Sequence, residues 1–129
     1  MTLPQAVHIL DISARLNELR TLKDGWLEGK GSAPAGEGLD WLTGAFQEHF
    51  PQNSVRPYLY PTAEGGVQAE WSLEPWEASL EIDLTSHRGQ WHLLNLRTDQ
   101  EQHREINLNC DEDWSWLIAQ IEHAGAPHD

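Results

Sequence analysis

The sequence predicts a two-layer α+β domain: two N-terminal helices, an antiparallel meander sheet of four to five strands, and a C-terminal helix. Three observations carry that prediction. Apolar residues recur at steps of three and four through the first fifty residues and again after Asp111. Residues 55–108 instead alternate apolar and polar side chains with a period of two. The turns between these alternating runs are too short for parallel crossovers. The 129 residues fit one domain spanning 1–129, with no repeat or low-complexity tract to divide it.

Residues 4–23 read as the first helix, with Ile9, Ile12, Leu16 and Leu19 on one face and Pro4 tolerated in the first turn. This stripe is expected to dock on the sheet; its alternative use is a homodimer. Gly25 to Ala35 reads as a loop, with Ser32 and Pro34 suited to opening the second helix. That helix buries Leu39, Leu42, Phe46 and Phe50, and Pro51 ends it.

Tyr58 and Tyr60, flanked by Pro57 and Pro61, suit a short edge strand. Val67, Ala69, Trp71 and Leu73 alternate with Gln68, Glu70 and Ser72, until Pro75 interrupts the run. Ala78, Leu80, Ile82 and Leu84 alternate with Ser79, Glu81 and Asp83. Ser86 to Gly89 is a hairpin turn, Trp91 to Leu96 a strand, Thr98 to Gln102 a turn, and Arg104 to Leu108 a weaker strand. Asp111, Glu112 and Asp113 offset the positive end of the last helix, which buries Trp114, Leu117, Ile118 and Ile121 and closes at Gly125 and Pro127.

Eight basic and 21 acidic residues give a formal charge of −13. Of this, −2 lies in residues 1–60 and −11 in residues 61–129. Such a field repels nucleic-acid phosphates and anionic lipids, and speeds association with a basic protein. The single cysteine, Cys110, excludes an internal disulfide and a four-cysteine metal site. The first eight residues lack a signal-peptide pattern, and no stretch reaches the ~18 apolar residues of a membrane helix. A cytoplasmic location is the expectation.

The turns place Glu70 near Glu81 or Asp83 on one sheet face, and Asp83 near His92, with Leu94, Leu96, Arg104 and Ile106 alongside. Three readings follow. The face is simply solvated. It is a patch for a basic protein partner, with Leu94 and Leu96 for burial and Glu70, Glu81 and Asp83 for steering. Or Glu70, Asp83 and His92 form an acid–base or divalent-metal site. A bulge near His92 would return the leucines to the core. Trp76 and Trp116 fall off the core stripes and are candidates for the partner surface.

Other motifs are weak. Gly25 to Ser32 fails phosphate-loop spacing and follows a helix instead of a strand. The seven histidines form no zinc signature. Cys110 has no adjacent base, and acidic neighbours disfavour its thiolate. No catalytic residue, metal ligand set or cofactor is therefore assigned.

Two stretches resemble a known pattern: Gly25-Trp26 through Gly29-Lys30-Gly31-Ser32-Ala33-Pro34, and Pro61-Thr62-Ala63-Glu64-Gly65-Gly66-Val67-Gln68-Ala69-Glu70-Trp71 with Leu80-Glu81-Ile82-Asp83. The chain resembles a family of small uncharacterised bacterial proteins with W-x-x-G-x-G-x-x-P and P-T-x-x-G-G-V-Q-x-E-W motifs, over Gly25 to Asp83. The resemblance implies architecture and carboxylates at Glu70 and Glu81 instead of an activity. By analogy it fits an antitoxin-like or inhibitor-like role. The leading expectation is an acidic protein that binds a basic partner, such as an effector or nucleic-acid-binding protein. The alternative is a carboxylate and histidine enzyme, or a metal-binding protein, using Glu70, Glu81, Asp83 and His92.

Overall fold

A computed structural model describes residues 11–126. The elements run α1 (Asp11–Leu19), α2 (Gly36–His49), β1 (Tyr58–Pro61), β2 (Val67–Leu73), β3 (Trp76–Asp83), β4 (Arg88–Asn95), β5 (Glu101–Asn107) and α3 (Asp111–Ala124). The strands form one antiparallel sheet in chain order, β1-β2-β3-β4-β5. This is the α+β meander that the periodicities predict. The expected first helix is described only from Asp11, so Pro4 and Ile9 lie outside the described residues.

The pleat sorts side chains by sequence parity. In β2, Val67, Ala69, Trp71 and Leu73 are buried; in β3, Ala78, Leu80 and Ile82; in β4, Trp91 and Leu93. The helices bury Leu16, Leu19, Leu39, Leu42, Phe46, Trp114, Leu117 and Ile121 in the same cluster. The described part of the α1 stripe, Leu16 and Leu19 with Ile12 beside them, is thus packed within the chain. Aromatic contacts tie the layers: Phe46 to Trp114 at 5.6 Å, Phe50 to Trp71 at 6.5 Å, and Trp71 to Trp91 at 5.9 Å between centroids. Each deeply buried indole donates its N–H, Trp71 to the Val55 carbonyl, Trp91 to Gln102 Oε1 and Trp114 to the Leu108 carbonyl. Burial of those polar atoms therefore carries no unpaired donor.

Several boundaries differ from the sequence expectation. Helix α2 starts at Gly36 with Ala35 as its cap residue, so neither Ser32 nor Pro34 opens it. Ser32 instead bridges to Glu64, its N–H donating to the Ala63 carbonyl at 2.8 Å. The two glycine-rich motifs therefore dock on each other, and Trp26 Nε1 closes the first by donating to the Ser32 carbonyl. Gly65 takes φ +85° at this junction. A Cβ on Gly66 would lie 2.5 Å from the Ile82 carbonyl oxygen, so only glycine lets the loop approach β3.

The β4 register is continuous, with no bulge near His92. Trp91 and Leu93 face the core, and His92 and Leu94 face away from it. Ile106 and Arg104 are on the core side, opposite Gly89 and Trp91, and not beside Leu94 as expected. The cause is the loop between β4 and β5. Asn95 is buried, and its Oδ1 accepts from the Arg97 and Thr98 N–H groups while its carbonyl accepts from Asp99. That closure sets the register of β5.

Two glycine substitutions separate these effects. Gly66→Ala is expected to destabilise the fold by about 2 kcal/mol, through overpacking against rigid backbone. Gly44→Ala, at an exposed position of helix α2 with nothing near the new methyl, is expected to stabilise it by about 0.5–1 kcal/mol. Urea unfolding of both variants measures the two signs.

Candidate functional site: the open face of the sheet

All three helices pack on one face of the sheet, and among the described residues no helix covers the other. The register puts Glu70, Glu77, Glu81, Asp83, Glu101 and Glu105 on this open face, with Arg88 as its lone arginine or lysine among the strand residues. Tyr58 and Tyr60 line its β1 edge at 67% and 44% exposure.

The two-residue turn Glu74-Pro75, which contains a cis peptide bond, pairs Leu73 with Trp76 and so fixes the rows. Glu70 lies opposite Ser79, and Glu81 opposite Gln68. Glu70 and Glu81 are therefore diagonal neighbours, separated from direct opposition by neutral partners, which moderates like-charge repulsion. Gln68 Nε2 donates to Glu70 Oε2 at 2.6 Å.

Asp83 is elsewhere. It pairs with Arg88 at the far end of β3, and its Oδ1 accepts from the Thr85 and Ser86 N–H groups at 2.8 and 3.1 Å. Those backbone donors, Ser86 foremost and then Thr85, hold its carboxyl below the ordinary value near 3.8. The carboxylate is engaged in shaping the hairpin turn. His92 lies opposite Ser79, not beside Asp83. At the strand spacing, Glu70 and His92 are about 10 Å apart, and Asp83 is about 13 Å along the strand from their row. The structure does not bring Glu70, Asp83 and His92 together.

The end of the face near Asp83 opens into a groove of about 650 Å³. Thr62, Glu64, Gly66, Glu81, Asp83 and Glu105 are among its lining residues. Both ends of the second sequence motif thus meet at one groove. Arg88 also lines it and donates to Glu105 at 3.0 Å.

A second cluster occupies the β4–β5 side. His92 and His103 are directly opposite, with ring centroids 4.4 Å apart, and Glu101 is on the same face two residues before His103. Glu101 Oε1 is 2.9 Å from His92 Nε2 and 3.7 Å from His103 Nε2. The hydrogen bond from His92, with the charge of His103 adding to it, draws the Glu101 carboxyl below its usual range. Neither Glu101 nor His103 belongs to the candidates that the sequence pattern singles out; the signal for them is Glu-x-His on one strand facing a histidine on the preceding one. A second trio, Glu48, His49 and Asp111, joins the end of α2 to the start of α3, with His49 stacked on Trp114.

The remaining candidates are dispersed. Leu94 is half-buried on the open face, opposite Glu77 and Glu101. Leu96 is 55% exposed in the loop after β4, off the strand where it was expected. Trp76 and Trp116 pack against the core on the helix side. Trp116 meets Trp91 edge-on at 6.4 Å and lies under the Arg104 guanidinium at 4.2 Å, so burial outweighs its apparent position off the stripe.

No protein-family model, no curated protein and no solved structure matches this chain.

The role of Asp83 is testable by pH. A folded-state value below the ordinary one means that the ionised group stabilises the fold above about pH 5. That contribution disappears as acidification carries the pH down through the folded-state value. Asp83→Ala is expected to cost about 1 kcal/mol at neutral pH, the exposed turn tempering a charge-assisted hydrogen bond. Urea unfolding at neutral pH and near pH 3 should show the gap between wild type and variant narrowing in acid. An equal gap at both would contradict the assignment.

Proposed function

We propose that this chain is a cytoplasmic interaction protein whose open sheet face docks a basic surface of a protein partner. The observation that carries the reading is the charge of that face, six carboxylates to one arginine. Carboxylates on a rigid sheet steer a cationic partner and fix its orientation. Tyr58 and Tyr60 on the β1 edge and half-buried Leu94 supply apolar contact area within the same surface.

The partner class that fits is an effector or nucleic-acid-binding protein with a phosphate-binding surface. The chain then acts as an inhibitor, an antitoxin or a mimic of nucleic acid, and does not itself bind nucleic acid or an anionic membrane. The motif resemblance supports the same reading, because Glu70 and Glu81 are its carboxylate positions and both belong to the open face. No helix among the described residues is long and apolar enough to cross a membrane.

Co-purification from the source cells at low and high ionic strength tests the proposal. A basic protein retained at low salt and released at high salt is expected. Glu77→Lys with Glu81→Lys should weaken its capture by about tenfold or more, while changing stability by no more than about 0.5 kcal/mol, since both side chains are exposed. Capture indifferent to salt and to charge reversal would refute it.

A further inference from the structure

The His92, Glu101 and His103 cluster has a chemistry that electrostatic docking does not use. We infer that these three side chains form a binding site for a divalent first-row transition ion, with Zn²⁺ the best match. The inference is independent of any protein partner.

Donor type is the first argument. Two imidazole nitrogens and one carboxylate oxygen suit zinc, cobalt or nickel, whereas magnesium and calcium prefer oxygen alone. Geometry is the second. Bonds of about 2.0–2.2 Å to one ion place neighbouring donors about 3.3 Å apart in a tetrahedral shell. The observed separations to Glu101 Oε1 are 2.9 Å and 3.7 Å, on either side of that value. All three donor atoms lie within 4.8 Å of one another.

Preorganisation is the third. The ligands are in adjacent strands at directly paired or diagonal positions, and the pleat interleaves them with anchored neighbours. Trp91 and Leu93, on either side of His92, are buried. Gln102 and Arg104, on either side of His103, are held on the core side: Gln102 accepts from Trp91 Nε1 of β4 and donates to Gln120 of α3 at 3.5 Å, and Arg104 stacks on Trp116 and pairs with Asp113 at 3.6 Å. The backbone beneath the donors is therefore fixed through the core. All three approach from the sheet, so the remaining coordination positions face solvent and are open to water or another ligand.

The Glu48, His49 and Asp111 trio offers one imidazole only and takes its donors from two helix ends, so it serves as the comparison site. Calorimetric titration of the untagged 129-residue chain with ZnCl₂ tests the assignment. Expected is one Zn²⁺ bound per chain, weakened about tenfold or more by His103→Ala and by Glu101→Gln, and unchanged by Glu48→Gln. In the unmodified chain, the ring resonances of His92 and His103 should shift together on titration, independently of any variant. Metal should raise the thermal midpoint of the wild type and not of His103→Ala. No Zn²⁺ binding, binding indifferent to His103→Ala, or loss with Glu48→Gln alone would each overturn it.

Discussion

Trp71 and Trp91, two strands apart, meet edge-on at 5.9 Å over the sheet, and this contact constrains everything built on the opposite face. Ala78, directly opposite Trp71 in the intervening strand, leaves room for the rings to meet. Hydrogen bonds to Val55 and Gln102 fix the two indoles in place. A slip of one residue in β3 would expose Leu80 and Ile82, forfeiting about 2 kcal/mol for each side chain. It would also turn Glu81 and Asp83 into an apolar layer, at a cost of several kcal/mol more. Burial therefore holds which face each side chain takes, and the turns fix the row, so the carboxylates and histidines on the other face are positioned by residues they never touch.

That arrangement separates two kinds of charge. Some charged groups hold the molecule's own structure: Asp83 caps a turn, and Arg88 pairs with Glu105. Others remain available on the open face, Glu77 and Glu81 among them. Local neutralisation thus covers part of the acidic surface and leaves a negative face that favours cationic ligands. On the two proposals, a protein partner would engage the whole sheet and a metal ion a single strand pair.

Most of the fold was legible from periodicity because period two and period three-to-four reflect which face is buried. The candidate site was less legible because it depends on register, and register depends on turns. The two-residue Glu74-Pro75 connection sets Glu70 opposite Ser79 and diagonal to Glu81, where alternation alone leaves Glu70 near either Glu81 or Asp83. The buried Asn95 closes the next loop and turns Ile106 inward, which no apolar pattern signals. Trp116 shows the same limit, its partial burial following from the tertiary arrangement and not from helical phase, whereas Trp76 shares the strand phase of Ala78 and Leu80 once β3 is seen to begin before Ala78. His103 and Glu101 belong to a strand whose sequence is nearly all polar, so alternation gave no hint of which side chains share a face.

One face of this sheet is sealed by the helices and the other is accessible. Thiol labelling along β3, with single cysteines in a Cys110→Ser background, measures this most directly. Glu77→Cys and Glu81→Cys should react at the rate of an exposed thiol in the folded chain, while Ala78→Cys is protected until unfolding. Protection at 77 and 81 equal to that at 78 would mean that the acidic face is covered, and would contradict the account.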